Sequence, residues 1–575
     1  CSLVCWFTDR QIRMRFIEGC LENLGNNRSV VISLRLLPKL FGTFQQFGSS
    51  YDTHWITMWA EKELNMMKLF FDNLVYYIQG IREGRQKHAL YSHSAEVQVR
   101  LQFLTCVFST LGSPDHFRLS LEQVDILWHC LVEDSECYDD ALHWFLNQVR
   151  SKDQHAMGME TYKHLFLEKM PQLKPETISM TGLNLFQHLC NLARLATSAY
   201  DGGSNSELCG MDQFWGIALR AQSGDVSRAA IQYINSYYIN GKTGLEKEQE
   251  FISKCMESLM IASSSLEQES HSSLTVIERG LLMLKTHLEA FRRRFAYHLR
   301  QWQIEGTGIS SHLKALSDKQ SLPLRVVCQP AGLPDKMTIE MYPSDQVADL
   351  RAEVTHWYEN LQKEQINQQA QLQEFGQSSR KGEFPGGLMG PVRMISSGHE
   401  LTTDYDEKAL HELGFKDMQM VFVSLGAPRR ERKGEGVQLP ASCLPPPQKD
   451  NIPMLLLLQE PHLTTLFDLL EMLASFKPPS GKVAVDDSES LKCEELHLHA
   501  ENLSRRVWEL LMLLPTCPNM LTAFQNVSDE QSNDGLNWKE LLKIKSAHKL
   551  LYALEIIEAL GKPNRRIRRE STGSY

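Results

Sequence analysis

The residues best suited to chemistry in this 575-residue chain are its 13 cysteines and 20 histidines. Four of them, His129, Cys130, Cys137 and His143, lie close enough in sequence for a metal site to be written. They lack the paired Cys-x-x-Cys or His-x-x-x-His spacing that brings two ligands to one side of a turn. Ordinary helix-face positions explain them more simply, so no metal and no other cofactor is expected. His497 and His499, two residues apart, would point to different sides of a helix. No glycine pattern of the phosphate-cradling or dinucleotide-binding kind is present. One modification signal stands out near the end, in Arg565-Arg566-Ile567-Arg568-Arg569-Glu570-Ser571. Arg568 and Arg569 precede Ser571 by three and two residues, the charge geometry that basophilic kinases prefer. Phosphorylation would set a charge of about −2 among four arginines and fold the tail onto itself; unmodified, the segment is a solvated basic tail.

The elements that would position such residues are mostly helices. A chain this long exceeds one core, so three or four packed units are expected. The irregular, odd set of cysteines suits reduced thiols better than a disulfide framework, which places the protein in the cytoplasm, the nucleus or both. Cys20, Cys106 and Cys190 fall in apolar helical stretches and are expected to be buried as small hydrophobes. A net charge of −10 argues against general nucleic-acid binding. The densest apolar run, Met454 to Leu458, is far short of the roughly 20 residues of a membrane span. Neither nucleic acid nor membrane is therefore expected as a partner. The chain opens at Cys1 without Met and is polar again by Thr8, which reads as an excised segment rather than a natural start.

From residue 1 to about 320 the apolar period is helical. Phe16, Ile17, Cys20, Leu21 and Leu24 form one stripe, and similar stripes recur at Leu101–Leu111, Val124–Leu131, Leu183–Leu195 and Leu281–Phe291. Glycine- and serine-rich breakers separate them. Stacked helical hairpins follow, an irregular HEAT or armadillo-like solenoid without a crisp consensus; the other reading is a non-repeating all-α domain. Residues 429–452 are basic and Pro-rich, the composition of a linker. Helical pattern resumes over 453–562, where Leu466, Leu469, Leu470 and Leu473 share a stripe, and 563–575 is a basic, disordered tail.

Between them the texture changes. Leu324, Val326 and Cys328, then Met337, Ile339 and Met341, alternate with Arg325, Thr338 and Glu340, as an antiparallel hairpin with one covered face requires. Pro343-Ser344-Asp345 closes the second strand and offers capping oxygens to a helix on which Val347, Leu350, Val354 and Leu361 face the sheet. A Gln-rich and then Gly/Pro-rich insertion, about 362–391, separates that helix from the strand Val392–Ile395. It sits where a polar loop is tolerated. Ser396-Ser397-Gly398, Leu401, then Leu410, Leu413 and Phe415, and a last strand with Val421 and Val423 inward complete the order. Residues 323–428 thus resemble ubiquitin, and the fold class is mainly α with an embedded ubiquitin-like β-grasp domain. The last strand runs into Ser424-Leu425-Gly426-Ala427-Pro428, with no terminal diglycine, so conjugation is not expected. Ubiquitin is read through an apolar patch on its sheet, and the matching outward positions are Ile395 and, less closely, Ser424, with Phe422 beside them. They form either a partner surface or a face covered by neighbouring helices.

Helical repeats, a ubiquitin-like domain and further helices resemble the giant ubiquitin-specific proteases of the FAM type, as does the run from Pro453 to Leu473. The resemblance implies a parent enzyme that hydrolyses isopeptide bonds to ubiquitin with a Cys–His–Asp/Asn site beyond this segment. Its partners would be protein substrates and ubiquitin-pathway proteins, with an intramolecular contact to the catalytic domain. The family's nucleophile motif resembles Asn-Leu-Gly-Asn-Thr-Cys; here Asn23-Leu24-Gly25-Asn26-Asn27 is followed by Arg28, with no thiol. No catalytic residue is therefore expected in this segment, since cysteine proteolysis needs a thiolate activated by histidine. The expected role is non-catalytic scaffold and regulation. The alternative is an adaptor whose ubiquitin-like module docks partners unrelated to deubiquitination.

Overall fold

The structure, a computed structural model, describes residues 9–44, 51–85, 90–109, 117–152, 156–200, 210–240, 245–305, 322–331, 336–374, 392–425, 452–478, 487–525, 542 and 546–561. It divides into two units, Cys1–Ile234 and Asn235–Tyr575.

In the first unit, α1 (Arg10–Gly25) starts where the Asp9 carboxylate accepts the Arg10 N–H at 2.7 Å. It buries Ile17, Cys20, Leu21 and Leu24 against α2 (Val30–Gly42) and α4 (Met66–Arg82), while α3 (Tyr51–Leu64) packs on all three. Phe16, expected in that stripe, is 45% exposed. At 100° per residue it sits at the stripe's margin. Helix α5 (His93–Val107) is capped by Ser92, and α6 (Leu121–Leu127) by a Ser120–Gln123 capping box. The π-turn Trp128–Val132 extends α6 and buries Trp128, Cys130, Leu131 and Val132. Then come α7 (Tyr138–Arg150), α8 (Met159–His164), α9 (Met180–Tyr200), α10 (Met211–Arg220) and α11 (Gly224–Asn240), whose residues from Asn235 on belong to the second unit. Phe166, Phe186, Phe214 and Tyr233 stack in succession, so each helical layer is packed through its neighbour. Cys106 proves exposed because it lies off the Leu101–Leu104 face.

The second unit is organised on a long helix. Helix α12 (Leu245–Ser264) packs along α13 (Ser270–Glu305), whose backbone breaks at Phe295. Next comes a five-stranded sheet of β1 (Leu324–Pro330), β2 (Met337–Met341), β3 (Val392–Ser396), β4 (His399–Glu400) and β5 (Gln419–Leu425), ordered β2-β1-β5-β3-β4. β1 pairs antiparallel with β2 and parallel with β5, and α14 (Val347–Glu374) crosses one face. This is the β-grasp arrangement. The inward side chains Leu324, Val326, Cys328, Met337, Ile339, Met341, Val347, Leu350 and Val354 are all buried together with Met394, Leu410, Val421 and Val423. β3 turns into β4 through Ser397 (φ 51°) and Gly398 (φ 81°), the two left-handed residues of a tight hairpin turn.

Two details differ from expectation. The first N–H groups of α14 are met mainly by loop carbonyls, Val347 by Lys408 O and Ala348 by Asp406 O, whereas the Asp345 carboxylate accepts the Tyr342 N–H. The Gln-rich start of the insertion is helical to Glu374, since Gln, Glu, Lys and Ala favour helix once one is nucleated. Residues 375–391, the linker over 426–451 and the tail carrying Ser571 lie outside the described residues.

After the sheet, α15 (Pro453–Leu456), α16 (His462–Ser475), α17 (Asp487–Leu513), α18 (Pro518–Gln525) and α19 (Ala547–Gly561) form a small bundle. The Tyr552 hydroxyl accepts the buried Cys517 N–H at 3.2 Å, and Phe467 meets Tyr552 edge to face. Helix α17 packs back on α13, where Glu278 pairs with Arg506 at 2.7 Å. Among the described residues no single helix is long and apolar enough to cross a membrane. One pair, Cys493–Leu513 with Pro518–Phe524, passes that test jointly but is bent by 71°.

Candidate functional site

The β-grasp domain has two faces with different fates. Its helical side is closed: α14 packs along α13, burying Ala348 and Ala352 as well as the residues that face the sheet. Arg300 of α13 donates to Glu353 of α14 through Nε at 2.8 Å and Nη2 at 2.5 Å. Burial works against the Arg300 charge, yet the carboxylates of Glu353, Asp349 and Asp345 hold its pKa above the ordinary value. Inside the domain, Arg351 Nε bonds Asp406 Oδ1 at 2.9 Å and Arg351 Nη2 bonds Leu401 O at 2.8 Å. This buried lock ties α14 to the loop after β4. Burial pushes the Cys328 thiol up to about 12, so it is an inert core residue.

The opposite, sheet side is open. Register places Ile395 against Phe422 and Arg393 against Ser424 across β3–β5, and Val327 beside Met420 across β1–β5. Phe422 is 52% exposed and Met420 38%, with Met418 at 53% just before the strand. Ile395 and Ser424 are half-buried, so the expected Ile–Phe pair is exposed mainly through its phenyl ring. Two ion pairs rim the patch: Arg393 with Glu400 at 2.7 Å, and Arg325 with Asp417 at 2.6 Å. An apolar centre with a paired polar rim is the anatomy of a protein-docking face. Alternation with Val421 and Val423 in β5 marks Met420 as outward, whereas Met418, before the strand at φ 61°, carries no such mark in the sequence.

The sequence-level metal set is not brought together. His129 is exposed and pairs with Glu133, Cys130 is buried in the π-turn, and His143 is exposed on α7. Cys137 instead lies beside His93 and Asp134, a trio whose ligand atoms are all within 4.8 Å of one another. Burial, and then the charges of Asp134, Asp140 and Glu136, push the Cys137 thiol up to about 12. His497 Nδ1 meets Phe476 O while His499 pairs with Glu278, on different sides of α17. The Asn23–Asn27 run is a helix C-terminus: Asn26 caps α1, and Asn27 takes a left-handed φ of 55°. Asn27 also lines a cleft of about 780 Å³ with Asn73, Tyr77, Glu96 and Arg100. The polar groups there are turned on one another, Asn73 Nδ2 to Asn27 Oδ1 at 2.7 Å and Arg100 Nη1 to Glu96 Oε2 at 2.6 Å.

Residues 2–191 match the family model described as UBP24/USP9X/USP9Y ARM repeat. Over all 575 residues the chain is 98% identical to ubiquitin carboxyl-terminal hydrolase 34 of Homo sapiens and covers 16% of that protein. It is 44% identical over its whole length to ubiquitin carboxyl-terminal hydrolase puf of Drosophila melanogaster, covering 15% of it. Ubiquitin carboxyl-terminal hydrolase 24 of Mus musculus is 25% identical across 52% of this chain and 11% of that protein. The resemblance read from the sequence places the whole chain nearest to hydrolase 24, whereas identity places the other two far ahead of it. The chain thus spans under a fifth of the length of the curated relatives it matches.

Proposed function

We propose that this chain, a segment of the large ubiquitin-specific protease type, is a non-catalytic scaffold that holds a β-grasp domain with its sheet outward as a docking face. The observation that carries this reading is the asymmetry of that domain. Its helix is fastened to α13 through Arg300 and Glu353, while Phe422, Met420 and Met418 remain exposed on the far side. A fastened helix fixes the direction in which the sheet looks, so an occupant of the sheet is held at a defined place on the scaffold. The occupant we assign is a protein of the ubiquitin pathway, either a substrate-bearing partner or the catalytic domain of the same enzyme. The compartment is the cytoplasm or nucleus, as the unpatterned cysteines suit.

The test uses the full protease carrying Ile395→Ala with Phe422→Ala. Turnover or substrate choice should change while the protein stays folded. Unchanged activity on every ubiquitinated substrate tried would overturn the reading. The 575-residue chain alone should not release a fluorophore from the ubiquitin C-terminus; sustained, alkylator-sensitive release would refute the non-catalytic assignment.

A further inference from the structure

Four side chains of the first unit that no function above uses converge on one point. Tyr77 comes from α4, His93 from the first position of α5, and Asp134 and Cys137 from the turn that leads into α7. His93 Nδ1 lies 2.9 Å from the Tyr77 hydroxyl, and His93 Nε2 lies 2.8 Å from Asp134 Oδ2. Cys137 is fully buried beside them. We propose that His93 Nε2, Asp134 Oδ2 and Cys137 Sγ form a binding site for a divalent cation of the zinc class, with Tyr77 as the group that orients the histidine.

The donor set argues for that class of ion. A thiol, an imidazole and one carboxylate oxygen suit zinc, whereas magnesium and calcium take oxygen ligands. The supporting shell is also of the right kind. A ligating histidine commonly engages its second ring nitrogen with a hydrogen-bonding partner, which fixes tautomer and ring orientation. Tyr77 does this for Nδ1 and leaves Nε2 turned to the trio. Asp134 is held as firmly: its Oδ1 accepts the Glu136 N–H at 3.0 Å, and its carbonyl accepts the Tyr138 N–H at 2.8 Å. His93 and Asp134 are thus set in place by other bonds, and Cys137 by burial.

Charge points the same way. The carboxylates of Asp134, Asp140 and Glu136 all act on Cys137. Arg100, 4.3 Å from the centroid of the Tyr77 ring, is itself paired to Glu96 at 2.6 Å. On binding, the ion displaces the thiol proton to solvent and takes the place of the Nε2 proton shared with Asp134, the neutral imidazole then carrying its proton on Nδ1 toward the Tyr77 oxygen. Its two positive charges match one thiolate and one carboxylate. Three protein ligands leave a tetrahedral position for water.

The experiment strips the 575-residue chain with a chelator, then titrates zinc against a chromophoric chelator and cobalt by absorption. One equivalent should bind, with a thiolate-to-cobalt charge-transfer band that Cys137→Ser abolishes and Cys106→Ser leaves intact. Tyr77→Phe should keep the band and weaken affinity about 10- to 100-fold. Absence of the band in the unsubstituted chain would overturn the site, as would a band and stoichiometry unchanged in both Cys137→Ser and His93→Gln. Should Cys137→Ser lose its helical circular dichroism, the cobalt spectra of the unsubstituted chain and Tyr77→Phe decide.

Discussion

Arg300 on α13 and Glu353 on α14 form an ion pair in which one carboxylate oxygen accepts from both Nε and Nη2, at side-chain exposures of 21% and 11%. The pair sits where the helix of the β-grasp domain meets the long helix of the scaffold. Helix α13 also receives α12 and α17, so one element fixes three neighbours. The orientation of the open sheet is therefore a property of this junction.

Removing one partner should undock the domain without unfolding it. Arg300→Ala leaves Glu353 largely desolvated and unpaired, which costs about 3–5 kcal/mol for a fully buried pair and less here, because some exposure remains. Hydrogen exchange is expected to rise along α14 and the C-terminal half of α13, while β1 and β5 stay protected. Combining Arg300→Glu with Glu353→Arg should restore much of the protection. Equal loss of protection in the strands would mean that the junction is part of the domain's own core.

Much of the β-grasp domain was legible because its two periods are clean. Leu324, Val326 and Cys328 alternate at two, and Val347, Leu350 and Val354 recur at helical spacing; all six are buried as expected. Its placement was not legible. Arg300 and Glu353 read as ordinary surface charges, and nothing local to either marks a partner 53 residues away. The same holds for His93 and Cys137, whose meeting depends on how α4, α5 and the turn before α7 pack. Phe16 and Cys106 failed for a smaller reason: a margin of a helical stripe is apolar without being inside.

Arg351 and Asp406 are the internal counterpart of the docking pair, and both side chains are essentially buried. Arg351→Met removes the cation and leaves the carboxylate enclosed, a loss of about 3–5 kcal/mol. A domain of this size should then lose most of its stability. Proteolysis should cut within 323–425 while residues 9–200 resist. Replacing both residues, Arg351→Met with Asp406→Leu, should recover part of the loss, since no charge is left buried. A single change tolerated without altered melting would show that the pair is not the lock described.

Asp417 supplies a pH test. The Arg325 side chain, and then the Arg325 backbone N–H at 2.8 Å, hold its carboxyl well below the usual carboxylate range. A depressed folded value means that the stabilisation is fully present above the unfolded value of about 3.9 and fades as pH falls through the lower folded value. Asp417→Asn should thus melt slightly below the unsubstituted chain at neutral pH, with the gap shrinking in salt because the pair is solvent-exposed. The two melting curves should converge in strong acid. A gap that persists there would assign the effect to the backbone turn instead of the charge.

Met394 and Phe422 separate stability from docking, because they lie on opposite faces of neighbouring strands. Met394 is fully buried in the domain core, so Met394→Ala opens a cavity and should cost about 2–5 kcal/mol. Phe422 is half exposed, so Phe422→Ala should change stability by no more than about 0.5 kcal/mol. If the sheet is a docking face, the order reverses in function: Phe422→Ala alters the protease's handling of substrate at full stability, whereas Met394→Ala acts only as far as it unfolds the domain. Melting curves and turnover measured on the same two proteins check this. A Phe422→Ala protein that is stable and turns over substrate normally would leave the exposed ring as surface without an occupant.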